Sequence, residues 1–167
     1  MSGDASVVRH IRGLLGLVVA GLVVSGLTAL PLEWEARLLA DRLLAPGSTG
    51  AAHLPGLAAW MQDVAAGLRE AGARHPFLLY GSDWLAFGHF VIAAMLWGPI
   101  RDPVRNLWVV DVGLVACALV PVFAHLFGPL RGIPLFWRWI DSAFGIFGFV
   151  PLWASRVLIR NLERSRR

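Results

Sequence analysis

Four runs in this chain are apolar for long enough to cross a bilayer, which constrains the fold more than any other feature. They cover residues 14–30, 84–100, 107–127 and 136–159. A transmembrane helix needs about 20 largely apolar residues, each advancing about 1.5 Å. All four runs are apolar around most of a helical wheel, as expected of helices that face both lipid and protein. The sequence therefore predicts an all-α integral membrane protein, one four-helix transmembrane domain with spans near 13–30, 84–100, 107–127 and 136–159. Hydrophobic residues make up 57% of the 167, and mean hydropathy is +0.64. A soluble domain of this length has too much surface to hide that much apolar area. A cleaved signal peptide is the rival reading of the first run, since Arg9 and Arg12 precede a short apolar core and cleavage after Gly26 is conceivable. No A-x-A pattern supports it, and a retained helix is the preferred expectation.

Every one of the 15 basic residues is arginine. Together with abundant Ala, Gly and Leu, that bias fits a GC-rich bacterial coding genome rather than a guanidinium-specific function. The arginines are dispersed between apolar runs, so they read as membrane-flanking charge facing anionic headgroups, with no nucleic-acid partner. Positive charge collects on the cytoplasmic side. Arg9, Arg12, Arg101, Arg105, Arg156, Arg160, Arg164, Arg166 and Arg167 share one side if both termini are cytoplasmic. Tryptophans give the same topology independently: Trp84, Trp137 and Trp139 mark outer ends, and Trp97, Trp108 and Trp153 mark inner ends. The expected location is the inner (plasma) membrane, multi-pass.

Between spans one and two, residues 31–83 form an outer insert with two expected amphipathic helices. In the first, Leu32, Leu39 and Leu43 share a face, and Ala45-Pro46-Gly47 stops the helix. In the second, Leu57, Trp60, Met61, Val64 and Leu68 do the same, and a loop at 46–56 joins the two. These helices are expected to lie on the outer membrane surface or to cap the bundle.

One phrase occurs twice, Trp97-Gly98-Pro99-Ile100-Arg101 and Phe127-Gly128-Pro129-Leu130-Arg131. Glycine accepts a left-handed cap and the following proline blocks continuation, so both copies read as helix ends. An inverted duplication of spans two and three is the alternative.

Ionisable side chains inside a span cost from about 2.5 kcal/mol at the centre and usually face the bundle interior. His89, His125, Arg138, Asp141 and Asp83 all fall towards the outer ends of their spans, where they are expected to form a small pocket for a ligand or proton. At the inner side Asp111 has Arg101, Arg105 and Arg156 as possible ion-pair partners. Arg138, Asp141, Gly145, Gly148, Leu152 and Ser155 form a small and polar stripe, a typical approach face between membrane helices. Asp111, Ala118 and His125 repeat every seven residues, and Gly13, Gly16 and Ala20 offer span one a packing face. Asp141 is expected to matter most, with Arg138 three residues away to neutralise it.

No phosphate loop, nucleophile elbow or CxxC is present. Cys117 is the only cysteine, so no internal disulfide forms. The leading expectation is a non-enzymatic accessory or binding subunit that meets a membrane-protein partner or a second copy of itself. A proton- or ion-coupled transporter is the second reading. The third is a haem- or metal-binding protein using His89 and His125, although no ligand spacing supports it and no cofactor is expected.

Overall fold

Proline and glycine decide where the helices begin and end. The computed structural model describes residues 2–45 and 53–166, and no strand occurs among them. Helix α1 spans Ser2–Ala29 and gives way at Leu30-Pro31 to α2, Leu32–Leu44. Ala45 is extended (φ −56°, ψ 140°) as a residue preceding proline prefers, and α2 stops there. Helix α3, Pro55–Arg74, starts with proline at its first position, where a missing N–H loses no helical bond. A 3-10 turn at Pro76–Leu79 leads into α4, Tyr80–Met95, followed by the short α5, Trp97–Arg101. Helix α6 is Leu107–Phe127, a second 3-10 turn covers Pro129–Arg131, and α7 is Leu135–Ser165. The loop expected at 46–56 lies largely outside the described residues, as does Arg167.

Four segments are long and apolar enough to cross a membrane: Asp4–Ala29, Pro76–Arg101, Leu107–Phe127 and Leu135–Ser165. That identifies the chain as a candidate multi-pass membrane protein. Three segments run beyond the expected bounds: the first starts at Asp4, the second is extended upstream through residues 76–83, as its sequence also suggested, and the fourth continues to Ser165.

Two compact units divide the chain, Met1–Leu22 with Val91–Arg167, and Val23–Phe90. The first unit holds an apolar core of Ile11, Leu15, Leu96, Leu107, Val109, Val110, Leu114, Leu152, Ile159 and Leu162. Its axis is the antiparallel pair α6 and α7. On α6 the enclosed line runs through Leu107, Val110, Leu114, Cys117, Pro121, Ala124 and Gly128, steps of three and four. The expected seven-residue line through Asp111, Ala118 and His125 runs beside it, and Ala118 is exposed. On α7 Ser142, Gly145, Leu152 and Ser155 are buried and Gly148 half-buried, so most of the small-residue stripe is the packing face. The buried hydroxyls are satisfied within the helix: Ser142 donates to the Arg138 carbonyl (2.7 Å) and Ser155 to that of Pro151 (2.8 Å).

The closest approach joins a proline to a glycine. Pro121 has no N–H for the carbonyl of Cys117, four residues back. That carbonyl lies against Gly145, where a β-carbon would sit only 2.5 Å from it. A glycine there lets α7 cover the freed oxygen.

Span one packs differently from expectation. Ile11 and Leu15 are fully buried, whereas Gly13 and Ala20 are exposed. Branched side chains fill the space that a glycine face would leave open.

The repeated phrase has two different outcomes. Gly98 does not take a left-handed conformation, and the helical path runs on through Pro99 to Arg101. Its bare α-carbon admits the Asn106 side chain, whose Nδ2 donates to the Gly98 carbonyl (3.2 Å). Gly128 is also right-handed (φ −54°, ψ −48°) and its missing side chain makes room for the Arg138 stem. Helix α6 ends at Phe127 with Gly128 as its cap residue, and Gly132 (φ 71°) closes the 3-10 turn that follows. There the Gly132 N–H donates to the Pro129 carbonyl (3.2 Å) and the Ile133 N–H to that of Gly128 (2.9 Å), the paired bonds of a Schellman cap.

In the second unit α2 and α3 pack on each other through Ala36 and Ala40 on one side and Ala58, Met61 and Ala65 on the other. Small residues let the axes approach, and they displace the expected leucine face of α2: Leu32 and Leu39 are exposed. The end of α1 meets α4 at Gly26, where a β-carbon would collide with the Phe90 ring (2.6 Å).

Candidate functional site

A cavity of about 410 Å³ belongs to the second unit. Past the Leu30-Pro31 turn, the first turns of α2 carry Glu33 and Arg37, four residues apart on one helix face, into its lining. The 3-10 turn and the first turn of α4 close the opposite side with Leu79, Ser82 and Asp83. Ser82 donates to the Leu79 carbonyl (2.6 Å), which fixes its hydroxyl as an acceptor towards the cavity. The Glu33 carboxylate is held beside Gly72 of α3, where a β-carbon would lie 2.9 Å from Oε2. Among the described residues Glu33, Arg37 and Asp83 form no ion pair. The cavity therefore offers two carboxylates and one guanidinium beside the apolar surfaces of Leu30, Leu32 and Trp34.

Asp83, expected from the sequence in an outer polar pocket, lines this cavity; Glu33 and Arg37 were not expected there. Their signal was the Glu-x-x-x-Arg spacing at the start of the insert. By spacing alone it reads as an ordinary solvated helix pair.

His89 occupies the same unit with both ring nitrogens engaged. Nδ1 pairs with the Leu85 carbonyl (2.7 Å) and Nε2 with the Ser25 hydroxyl (3.2 Å). In a neutral ring Nδ1–H is the donor, and Nε2 accepts from Ser25. The contact ties α1 to α4 just above Gly26.

His125, Arg138 and Asp141 belong to the first unit, at the turn from α6 to α7. The Arg138 stem crosses Gly128, and the His125 ring meets the edge of Trp139 (4.6 Å between centroids). His125 Nε2 and Arg138 Nε are both sealed from solvent without a hydrogen-bond partner among the described residues. Asp141 is half-buried at the margin of the packing face, with Ser142 taking the buried position. The expected Arg138–Asp141 neutralisation is not formed among the described residues, because Arg138 lies back over Gly128 instead.

At the opposite end of this unit Arg156 donates through Nε to Asp111 Oδ1 (2.6 Å), and its guanidinium stands 5.7 Å from the Trp153 ring centre. Of the three arginines expected near Asp111, Arg156 is the one bonded to it. Arg101 and Arg105 are exposed, and the Arg105 backbone N–H caps onto Asp102 Oδ1 (3.2 Å).

Among the described residues no three His, Cys, Asp or Glu side chains converge as a metal would require. No known protein family, characterised protein or solved structure matches this chain.

Proposed function

We propose that the chain is a non-enzymatic, multi-pass protein of a bacterial inner membrane, an accessory or binding subunit whose insert cavity engages a ligand or a partner. Both termini face the cytoplasm in this reading, and α1 is a retained span. Retention is supported by what cleavage after Gly26 would remove: Ile11 and Leu15 from the core, and the Ser25 bond to His89. The α2–α3 pair lies on the outer side, its exposed Leu32, Trp34, Leu38 and Leu39 towards headgroups or a partner.

The observation that carries the binding role is the insert cavity, with Glu33 and Asp83 outnumbering Arg37. A concave site with a few convergent polar groups and an apolar wall is the usual form of a ligand site. An excess of carboxylate selects a cationic group, either the amine of a small ligand or a basic side chain of a partner. A photoreactive amino acid at Trp34 tests this in cells. A discrete adduct is expected that disappears in Glu33→Gln/Asp83→Asn and does not form from the same probe at Phe147, which is 78% exposed. Identical adducts from both positions would reject the cavity as the binding place.

A proton- or ion-coupled transporter is the second reading, favoured by the sealed, unpartnered nitrogens of His125 and Arg138 near Asp141. Proton flux in liposomes that is lost in Asp141→Asn would select it over the binding subunit. A haem or metal on His89 would require that ring to give up Ser25 or Leu85.

A further inference from the structure

The first unit has a cavity of about 320 Å³ that the foregoing reading does not use. It lies where α1 begins and α7 ends, lined by Asp4, Ala5, Val8, Arg9, Arg12 and Arg166. Arg9 and Arg12 are three residues apart and share a helix face. Arg12 is anchored through Nε to the Ile100 carbonyl (3.0 Å), which fixes its stem and leaves the two terminal amino groups unbonded. Arg166 arrives from the far end of the sequence. Nearby arginines are already neutralised, Arg156 by Asp111 and Arg160 by Glu163. Arg9, Arg12 and Arg166 have no acidic partner among the described residues, and Asp4, also in the lining, forms no ion pair there. Three cations thus face one anion around a space at the small end of the roughly 300–1,000 Å³ range of ligand sites.

We propose that this cavity binds the phosphate of an anionic phospholipid, held by the guanidinium groups of Arg9, Arg12 and Arg166. Guanidinium forks match phosphate oxygens two at a time, and basic pockets between helix ends are a recurring form of headgroup site. The choice of a lipid over free phosphate rests on the wall. Ala5 and Val8 give the cavity an apolar side, and it opens at the end of an apolar helix long enough to span a membrane. The proposal depends on the membrane reading above and is independent of the insert cavity.

Native mass spectrometry of the full chain, released from detergent in the presence of dioleoyl phosphatidylglycerol, tests the site. One saturable lipid adduct is expected, weakened about tenfold or more in Arg9→Gln/Arg166→Gln. Arg101→Gln/Arg105→Gln, which removes equal charge outside the cavity, should keep the adduct. Arg9→Lys/Arg166→Lys, which keeps the charge but loses the fork, should bind at intermediate strength. Equal weakening by the two glutamine pairs would overturn the site in favour of diffuse surface charge. Equal binding of dioleoyl phosphatidylcholine would overturn the requirement for an anionic headgroup. Displacement by inorganic phosphate would overturn the lipid assignment. Melting of each variant without lipid identifies any loss of fold. If Arg9→Gln/Arg166→Gln melts early, the lysine pair decides the matter, and wild-type affinity in it rejects the fork. Failure of the wild-type chain to float with liposomes would instead reject the membrane reading itself.

Discussion

The two units bury different kinds of side chain. In the first, Ile11, Leu15, Leu107, Val110, Leu152 and Ile159 point inward and interlock across α1, α6 and α7. In the second, the inward positions of α2 and α3 are mostly alanine, while Leu32, Trp34, Leu38 and Leu39 point away. Interlocked branched side chains give a core that resists deformation. An alanine seam brings two helices close but buries little area, so its stability depends on what covers the large side chains outside. The first unit packs through branched side chains and the second through small ones.

The largest effect should come from Gly145→Leu. The new side chain would strike the Cys117 carbonyl and Val120, and overpacking of this kind costs about 3 kcal/mol. Early thermal denaturation of the detergent-purified protein would register it, with Gly67→Leu, in open space on α3, as a near-neutral control. Next comes Ala36→Leu in the alanine seam, at about 2 kcal/mol. It should expose Arg42 and Arg69 to trypsin while leaving the α6–α7 pair resistant. Loss of protection in both units together would break the distinction between them.

A smaller effect separates the aspartates of α6 and α7. Asp111→Ala strands Arg156, but the pair is about a third exposed (33% and 38%), so roughly 1 kcal/mol is expected. Asp141→Ala removes no ion pair seen among the described residues and should melt closer to wild type than Asp111→Ala. The reverse order would mean that Asp141 holds a partner in the assembled membrane. The smallest effect belongs to Leu39→Gln, 50% exposed on α2, which should change stability in detergent by no more than about 0.5 kcal/mol. If that face is covered in the membrane, the same variant should nevertheless lose liposome or partner association.

The spans were legible because length and apolarity alone decide them. Which face of each span packs was harder to read, because lipid-facing and core-facing positions are equally apolar and no polar contrast marks the boundary. Gly145 and Gly148 could be placed because α7 carries polar residues on the same stripe. Gly13 and Gly16 had no such companions, and Ile11 and Leu15 took the contact instead. Asp83 stood out in the sequence as a polar residue beside an apolar run, whereas the cavity it lines did not. The walls come from segments some fifty residues apart in sequence, which no periodicity brings together. The repeated Gly-Pro phrase lies at two helix ends, after Arg101 and after Phe127, but without the left-handed glycine expected there. Glycine before proline serves a cap and a close contact equally well, and only Asn106 and Arg138, distant neighbours, distinguish them.

The contact of Gly145 with the Cys117 carbonyl has an inheritance consequence. Pro121 frees that oxygen and Gly145 covers it, so the two positions form one genetic unit. With alanine at position 121 the carbonyl would regain its own helical N–H, and a side chain at position 145 would meet a different surface. The effects of Pro121→Ala and Gly145→Ala should therefore fail to add, by about 0.5 kcal/mol or more in a double-mutant cycle. A lineage that lost the proline would be released from keeping the glycine, whereas one that lost the glycine first would carry a collision until the proline changed.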